Sequence, residues 1–293
     1  MSAGFLLYFK LIGSVLFWGG TWIAGKILAG HLSPYNAGFL RFFFASFFMF
    51  FMVKKFTGHY PRITKKQFFP VVILGATGVF LYNILFFTGL ETVEAGRASL
   101  IIAGTPTVIA ISSALLFKEK FTFPKILGFI ISLTGVALVI ARGNPLDILH
   151  QGMTNGDLCI LGCVVTWAAY SIAGKKTVDI VSPVEAVAWS CFIGTVMLLP
   201  FAISHDLFSQ AASAGLIDWA SLLYLAIMGT GLAFSWYYEA LQVIGASKTG
   251  IFINLVPVTA VVLGYFCFGE LMGPTVIAGG ALVIGGVWIT NRN

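Results

Sequence analysis

Four groups of side chains in this sequence are suited to hold a small amphipathic molecule, and all lie inside apolar runs. Trp18 and Trp22 stand four residues apart, on one face of a helix. Trp167 and Tyr170 take the corresponding face of a second helix, while Tyr82 with Phe86 and Trp236 with Tyr237 form two more groups. Such rings offer flat apolar surface, and their indole N–H and phenolic O–H groups orient a ligand's polar end. The competing reading is an aromatic belt at the lipid headgroups, where membrane Trp and Tyr usually sit. Trp18, Trp167 and Tyr82 are deep in their runs, so the sequence favours a cavity wall for them.

Polar atoms in the same runs need partners. Asn83 and Asn254 carry amides that must bond another helix or face a ligand, because an unpaired amide in hydrocarbon is costly. Arg41 lies several residues inside a run, where a charge costs roughly 2.5–3.5 kcal/mol on insertion scales; it reads as a structural or gating residue. Arg97 and Lys248 open two further runs, as snorkelling cations or as partners of a substrate carboxylate. Pro106 and Pro257 remove helix hydrogen bonds and free the carbonyls of Ile102 and Ile253, which suits a hinge or simple helix shaping. Glu91, Glu94, Glu119, Glu239 and Glu270 fall toward run ends, and the four histidines lie in or beside loops. With no acid in the middle of a run, facilitated diffusion or exchange is expected rather than proton coupling. The cysteines (Cys159, Cys163, Cys191, Cys267) read as small packing residues, with no metal or disulfide role. No metalloprotease, serine-hydrolase or P-loop signature is present, so neither an enzyme nor a cofactor is expected.

The elements that position these residues are membrane helices. The chain is 58% hydrophobic and 10% charged, with a mean hydropathy of +0.95, which no soluble domain could cover with polar surface. Its net charge of +6 sits in short loops, so nucleic acid is not a partner; lipid is. Ten spans are predicted, at about 9–29, 35–53, 68–90, 97–117, 124–141, 157–175, 183–203, 219–242, 248–268 and 274–290. The first run contains Lys10 and two Trp and shows no cleavage site, so it reads as a retained span.

The chain also repeats itself. Trp18-Gly-Gly-Thr-Trp-Ile-Ala-Gly-Lys26 returns 149 residues later as Trp167-Ala-Ala-Tyr-Ser-Ile-Ala-Gly-Lys175, and Ser33-Pro34 returns as Ser182-Pro183. An offset of 151 places Pro106 on Pro257, Glu119 on Glu270, Gly128 on Gly279 and Gly135 on Gly286. The two units, residues 1–144 and 156–293, hold five spans each. With the N-terminus in the cytoplasm, 13 cations fall inside against three outside (Lys26, Arg97, Arg142), which places both termini inside. Five is odd, so the second unit enters the membrane from the opposite side. The fold expected is all-α and integral to the membrane, with ten transmembrane helices in two inverted five-helix repeats, an architecture of secondary transporters.

Trp18-Gly19 opening span 1, the early prolines of spans 4 and 9 and the glutamates ending them resemble the EamA type of the drug/metabolite transporter superfamily. The aromatic positions look closest to the bacterial aromatic amino-acid exporters of the YddG-like branch. The resemblance covers essentially the whole chain. It implies a bacterial inner-membrane carrier that exports amino acids or related metabolites without a cofactor. Alternatives on the same fold are an exporter of drugs or nucleobase-type metabolites, and a non-transporting sensor or assembly protein. The oligomeric state is open, because glycine faces serve contacts within and between chains alike.

Overall fold

Helix starts in this chain follow local chemistry that is written twice. Ser33 caps the second span, its hydroxyl accepting from the Asn36 N–H, with Pro34 in the first turn where a missing N–H costs nothing. Ser182 and Pro183 occupy the same positions at the seventh span. Thr154 and Asp157 cap the sixth span reciprocally, the Asp157 carboxylate accepting from the Thr154 N–H at 2.7 Å.

The computed structural model describes residues 3–93, 98, 101–118, 122–141, 153–268 and 273–291. Glu94, Arg97, Glu119, Arg142, His150, Glu270 and the side chain of Cys267 lie outside that set. The described residues are helical and contain no strand. Ten spans follow one another: Ala3–Ala29, Pro34–Thr57, Lys65–Thr92, a fourth described over Thr105–Phe117, then Phe123–Ala141, Asn155–Thr177, Pro183–Ser204, an eighth from Leu216, a ninth to Phe268, and Pro274–Asn291. A short helix, Leu207–Ser213, which the sequence pattern did not predict, links spans 7 and 8.

Two departures from uniform helices occur at equivalent places. Spans 3 and 8 each widen into a π-helical stretch, Gly75–Leu81 and Ile227–Leu232, before resuming as α-helix. Spans 4 and 9 restart just before their prolines. Pro106 sits in the first turn of Thr105–Phe117, and Pro257 follows a 3-10 turn, Ile251–Asn254, in the first turn of Leu255–Phe268. In span 4 the expected kink is therefore a break at Ala103 and Gly104 with proline in the first turn after it, and in span 9 it is a 3-10 turn within a continuous helix just before Pro257. Gly245, at φ 80° and ψ 170°, turns span 8 into span 9, a conformation glycine adopts without a Cβ clash.

The halves interlock about a two-fold axis. Span 2 lies antiparallel to its equivalent, span 7: Tyr35 meets His205, and Phe50 meets Trp189. Ser46 and Thr195, which are 149 residues apart and repeat equivalents, face each other at 3.4 Å. Span 5 crosses span 10 in the same sense, with Gly135 against Gly279 and Gly128 against Gly286. A methyl on Gly135 would lie 2.6 Å from the Gly279 oxygen, so the backbones touch where the small residues are. Equivalent helices in antiparallel contact are the signature of an inverted repeat.

Span 1 crosses to the other half and is tied to span 8 at both ends. Lys10 pairs with Glu239 at 2.6 Å, and His31 bonds Asp218 at 2.7 Å. The equivalent seam, between spans 6 and 3, is held by the Gln67 side-chain N–H donating to the Ile180 carbonyl at 2.7 Å. Away from these seams the surface is apolar: Phe43, Phe47 and Phe51 form an outward stripe on span 2, suited to acyl chains.

Candidate functional site

The axis that brings Ser46 to Thr195 also brings Trp18 to Trp167. Their rings meet edge to face, with centroids 5.3 Å apart and planes at 88°, a favourable arrangement for aromatic quadrupoles. Beside them a cavity opens between the halves. Six of its twelve lining residues are three repeat-equivalent pairs: Trp18 with Trp167, Ile102 with Ile253, and Thr105 with Val256. Helix geometry accounts for each pair. The latter two pairs lie one to four residues before the span 4 and span 9 prolines, while Tyr82 and Phe234 enter the wall one and two residues past the π-helical stretches.

Of the other six lining residues, Thr21, Trp22, Arg41, Tyr82 and Phe86 come from the first half and Phe234 from the second. The counterparts of the five are Tyr170, Ser171, Ser190, Ala233 and Tyr237, which are buried outside the lining. The polar character of the cavity is therefore one-sided. Arg41 is the only charged side chain among the described lining residues, 4% exposed, with Nε donating to Thr230 Oγ1 at 3.0 Å and Nη1 to Asn83 Oδ1 at 3.1 Å.

The two central indoles differ in the same way. Trp18 Nε1 donates to the Gly229 carbonyl at 3.0 Å, across the boundary between halves. Trp167 Nε1 is buried and makes no hydrogen bond, and neither does the lining hydroxyl of Thr105. Free space between the walls, counted out to the open mouth of the cavity, is about 530 Å3, but the centre of a water molecule can occupy only about 50 Å3 of it. That admits water and excludes a ring, so larger cargo enters only when the walls part.

The structure brings together five of the rings singled out from sequence, Trp18, Trp22, Tyr82, Phe86 and Trp167, and adds Arg41 to them. Tyr170 and Tyr237 form a second layer, their rings 5.3 and 5.8 Å from Trp167 and their hydroxyls turned to Ser190 and Ser171. Asn83 is the partner of Arg41 rather than a lining residue. Asn254 lies outside the cavity and donates to Ser132 of span 5, joining helices. Trp236 is a correction. It stacks on Phe17 at 5.7 Å and fills the space over Gly13, because a residue two beyond Phe234 is turned about 200° away. Phe234 was missed, because the repeat places it on Asn83 and not on a ring. Thr21, Ile102, Thr105, Ile253 and Val256 carried no chemical signal beyond position.

Comparison with known proteins places this geometry. The profile of the EamA-like transporter family matches twice, over residues 5–141 and 154–292. The chain belongs to that family. This EamA-like transporter is 29% identical over 281 residues to the uncharacterized transporter YyaM of Bacillus subtilis, covering 96% of this chain and 92% of that one. It is 31% identical over 225 residues to the probable terminal-alkyne amino-acid exporter of Streptantibioticus cattleyicolor, covering 76% of this chain and 72% of the other. A solved crystal structure has the same fold, with a TM-score of 0.79 at 20% identity over 97% of this chain and 96% of that one. The transporter is thus a multi-pass membrane protein of a small-molecule carrier family.

Proposed function

We propose that this EamA-like transporter exports small amphipathic metabolites, aromatic or other neutral amino acids first among them, by alternating access. One observation carries the reading: the aromatic cage lies on the axis and is assembled from equivalent residues of both halves. Exchange of conformation between the halves would open it to one side and then to the other. Trp18, Tyr82, Trp167 and Phe234 would stack on the apolar part of the substrate. The relative named as a probable terminal-alkyne amino-acid exporter supports the substrate class. The proposed setting is the bacterial inner membrane, with both termini cytoplasmic as the cation distribution requires.

Coupling to protons is not part of the proposal. Among the described residues the lining contains no carboxylate, and Glu239, the acid nearest the middle of a span, is engaged by Lys10 at 2.6 Å. The purified protein in sealed liposomes should take up labelled phenylalanine and tryptophan saturably without a pH gradient. Trp167→Ala should lower that uptake by roughly tenfold or more, a loss of about 1.4 kcal/mol in binding, while inserting normally. Uptake that requires the gradient would overturn the uncoupled mechanism. Absence of flux for every amino acid would favour nucleobase or drug cargo, and binding without flux a sensor.

A further inference from the structure

We propose that Arg41 is the anion subsite of the transport cavity and seats the carboxylate of the substrate. The inference rests on reading this cavity as the transport site, but not on the substrate's ring. Arg41 is a cation in the middle of the protein with no anion beside it. Among the described residues the ion pairs are Lys10 with Glu239 and His31 with Asp218, and neither involves Arg41. Its two hydrogen bonds go to neutral oxygens, those of Thr230 and Asn83. These fix the guanidinium without neutralising it, and a buried charge is stable only when paired.

The guanidinium carries five N–H groups, and two are used. Nε and one N–H of Nη1 are held by protein. The other Nη1 hydrogen and both on Nη2 make no hydrogen bond to any described residue, in a side chain that lines the cavity. An end-on pair of donors matches the two oxygens of a carboxylate, with charge assistance in a dry site. Thr105 Oγ1 and Trp167 Nε1 are fully buried and unbonded in the same lining, so a bound anion has further donors within the cage.

The second half supplies no counterpart. The residue equivalent to Arg41 is Ser190, whose hydroxyl is buried against Tyr170 and Val187. One cation therefore fixes one orientation in an otherwise two-fold cage: the carboxylate at span 2, the apolar end against the Trp18–Trp167 pair. A ligand's ammonium group meets no carboxylate among the described lining residues, only neutral hydroxyls and ring faces, which attract cations more weakly than a carboxylate does. The site thus selects carboxylates, with or without an amine, over amines that lack one.

Binding to the purified full-length protein tests this, read by tryptophan fluorescence with phenylalanine, 3-phenylpropanoate and phenethylamine. Both carboxylates should bind roughly tenfold or more tightly than phenethylamine. Arg41→Gln should abolish that preference by weakening the carboxylates alone, and Arg41→Lys should recover part of it. If Arg41→Gln fails to fold, the three-ligand comparison on the wild-type protein decides. Equal binding of phenethylamine and phenylalanine would overturn the assignment, as would equal weakening of all three ligands by Arg41→Gln. Leucine, 4-methylpentanoate and isoamylamine extend the panel. Binding of these carboxylates when no aromatic compound binds would sink the aromatic reading and leave Arg41 in place. Failure of every carboxylate to bind would overturn Arg41 itself.

Discussion

The two repeats of this transporter bring three equivalent pairs of residues to one cage, and differ in most of the polar atoms that face it. Trp18 and Trp167 meet on the axis, yet the indole of Trp18 is bonded to Gly229 while that of Trp167 has no partner. Arg41 answers to Ser190, and the bonded Asn83 to no amide in span 8. The difference separates two requirements. Apolar walls related by symmetry present a similar surface whichever side is open, as a carrier needs. Polar atoms from one half alone give a substrate a head and a tail, as selectivity needs.

The relation between halves is most sharply broken at the contact of spans 5 and 10. Gly135→Leu would drive a side chain into the backbone of Gly279 and Val283, which cannot yield as a side-chain tip would. Loss of monodisperse protein on gel filtration is the expected result, and normal elution would mean the halves do not meet there. Next in size is the contrast between the two indoles. Trp18→Phe removes a buried bond of about 1 kcal/mol and should lower the melting temperature by a few degrees. Trp167→Phe removes no protein bond and should leave stability unchanged while weakening ligand binding several-fold. Matching effects of the two substitutions would erase the asymmetry argued here.

A smaller effect is expected at the tie between Lys10 and Glu239. Glu239→Gln should loosen one end of the seam between spans 1 and 8 and raise the labelling rate of a cysteine placed in the cavity, with uptake still independent of a pH gradient. Loss of uptake would make Glu239 part of the transport chemistry. Smallest of all should be the paired lysines that end spans 1 and 6. Lys26 donates to the Leu90 carbonyl at 2.8 Å and Lys175 to the Gln242 carbonyl at 3.4 Å, equivalent contacts at opposite ends of the molecule. Lys26→Met should therefore slow transport more than Lys175→Met, each by less than about tenfold since both bonds are near solvent.

The fold was legible because its causes are local and repeated. Apolar runs long enough to span, Ser-Pro starts and duplicated Trp, Pro and Gly positions specified ten helices in two units before any coordinates. The family profile matches both units. The cavity was legible where a ring is both deep and duplicated, as at Trp18 and Trp167. It was obscured in span 8, because the face a side chain takes depends on where the π-helical stretch ends, and hydrophobicity does not record an inserted residue. Trp236 and Phe234 are equally apolar, two residues apart, and only one looks inward. Arg41 was legible as an anomaly but not as a partner to Asn83 and Thr230, since those contacts join residues 42 and 189 positions apart.

That separation sets a timetable for making the protein. At about 5–20 residues per second, Asn83 emerges from the ribosome some 2–8 s after Arg41, and Thr230 roughly 10–40 s after it. Between those moments a nascent chain holds a cation in the bilayer with a single amide to shield it. Asn83 is thus the residue that shelters span 2 during biogenesis. Asn83→Leu should lower the yield of inserted protein more than Thr230→Val does, even where the finished molecules are equally stable.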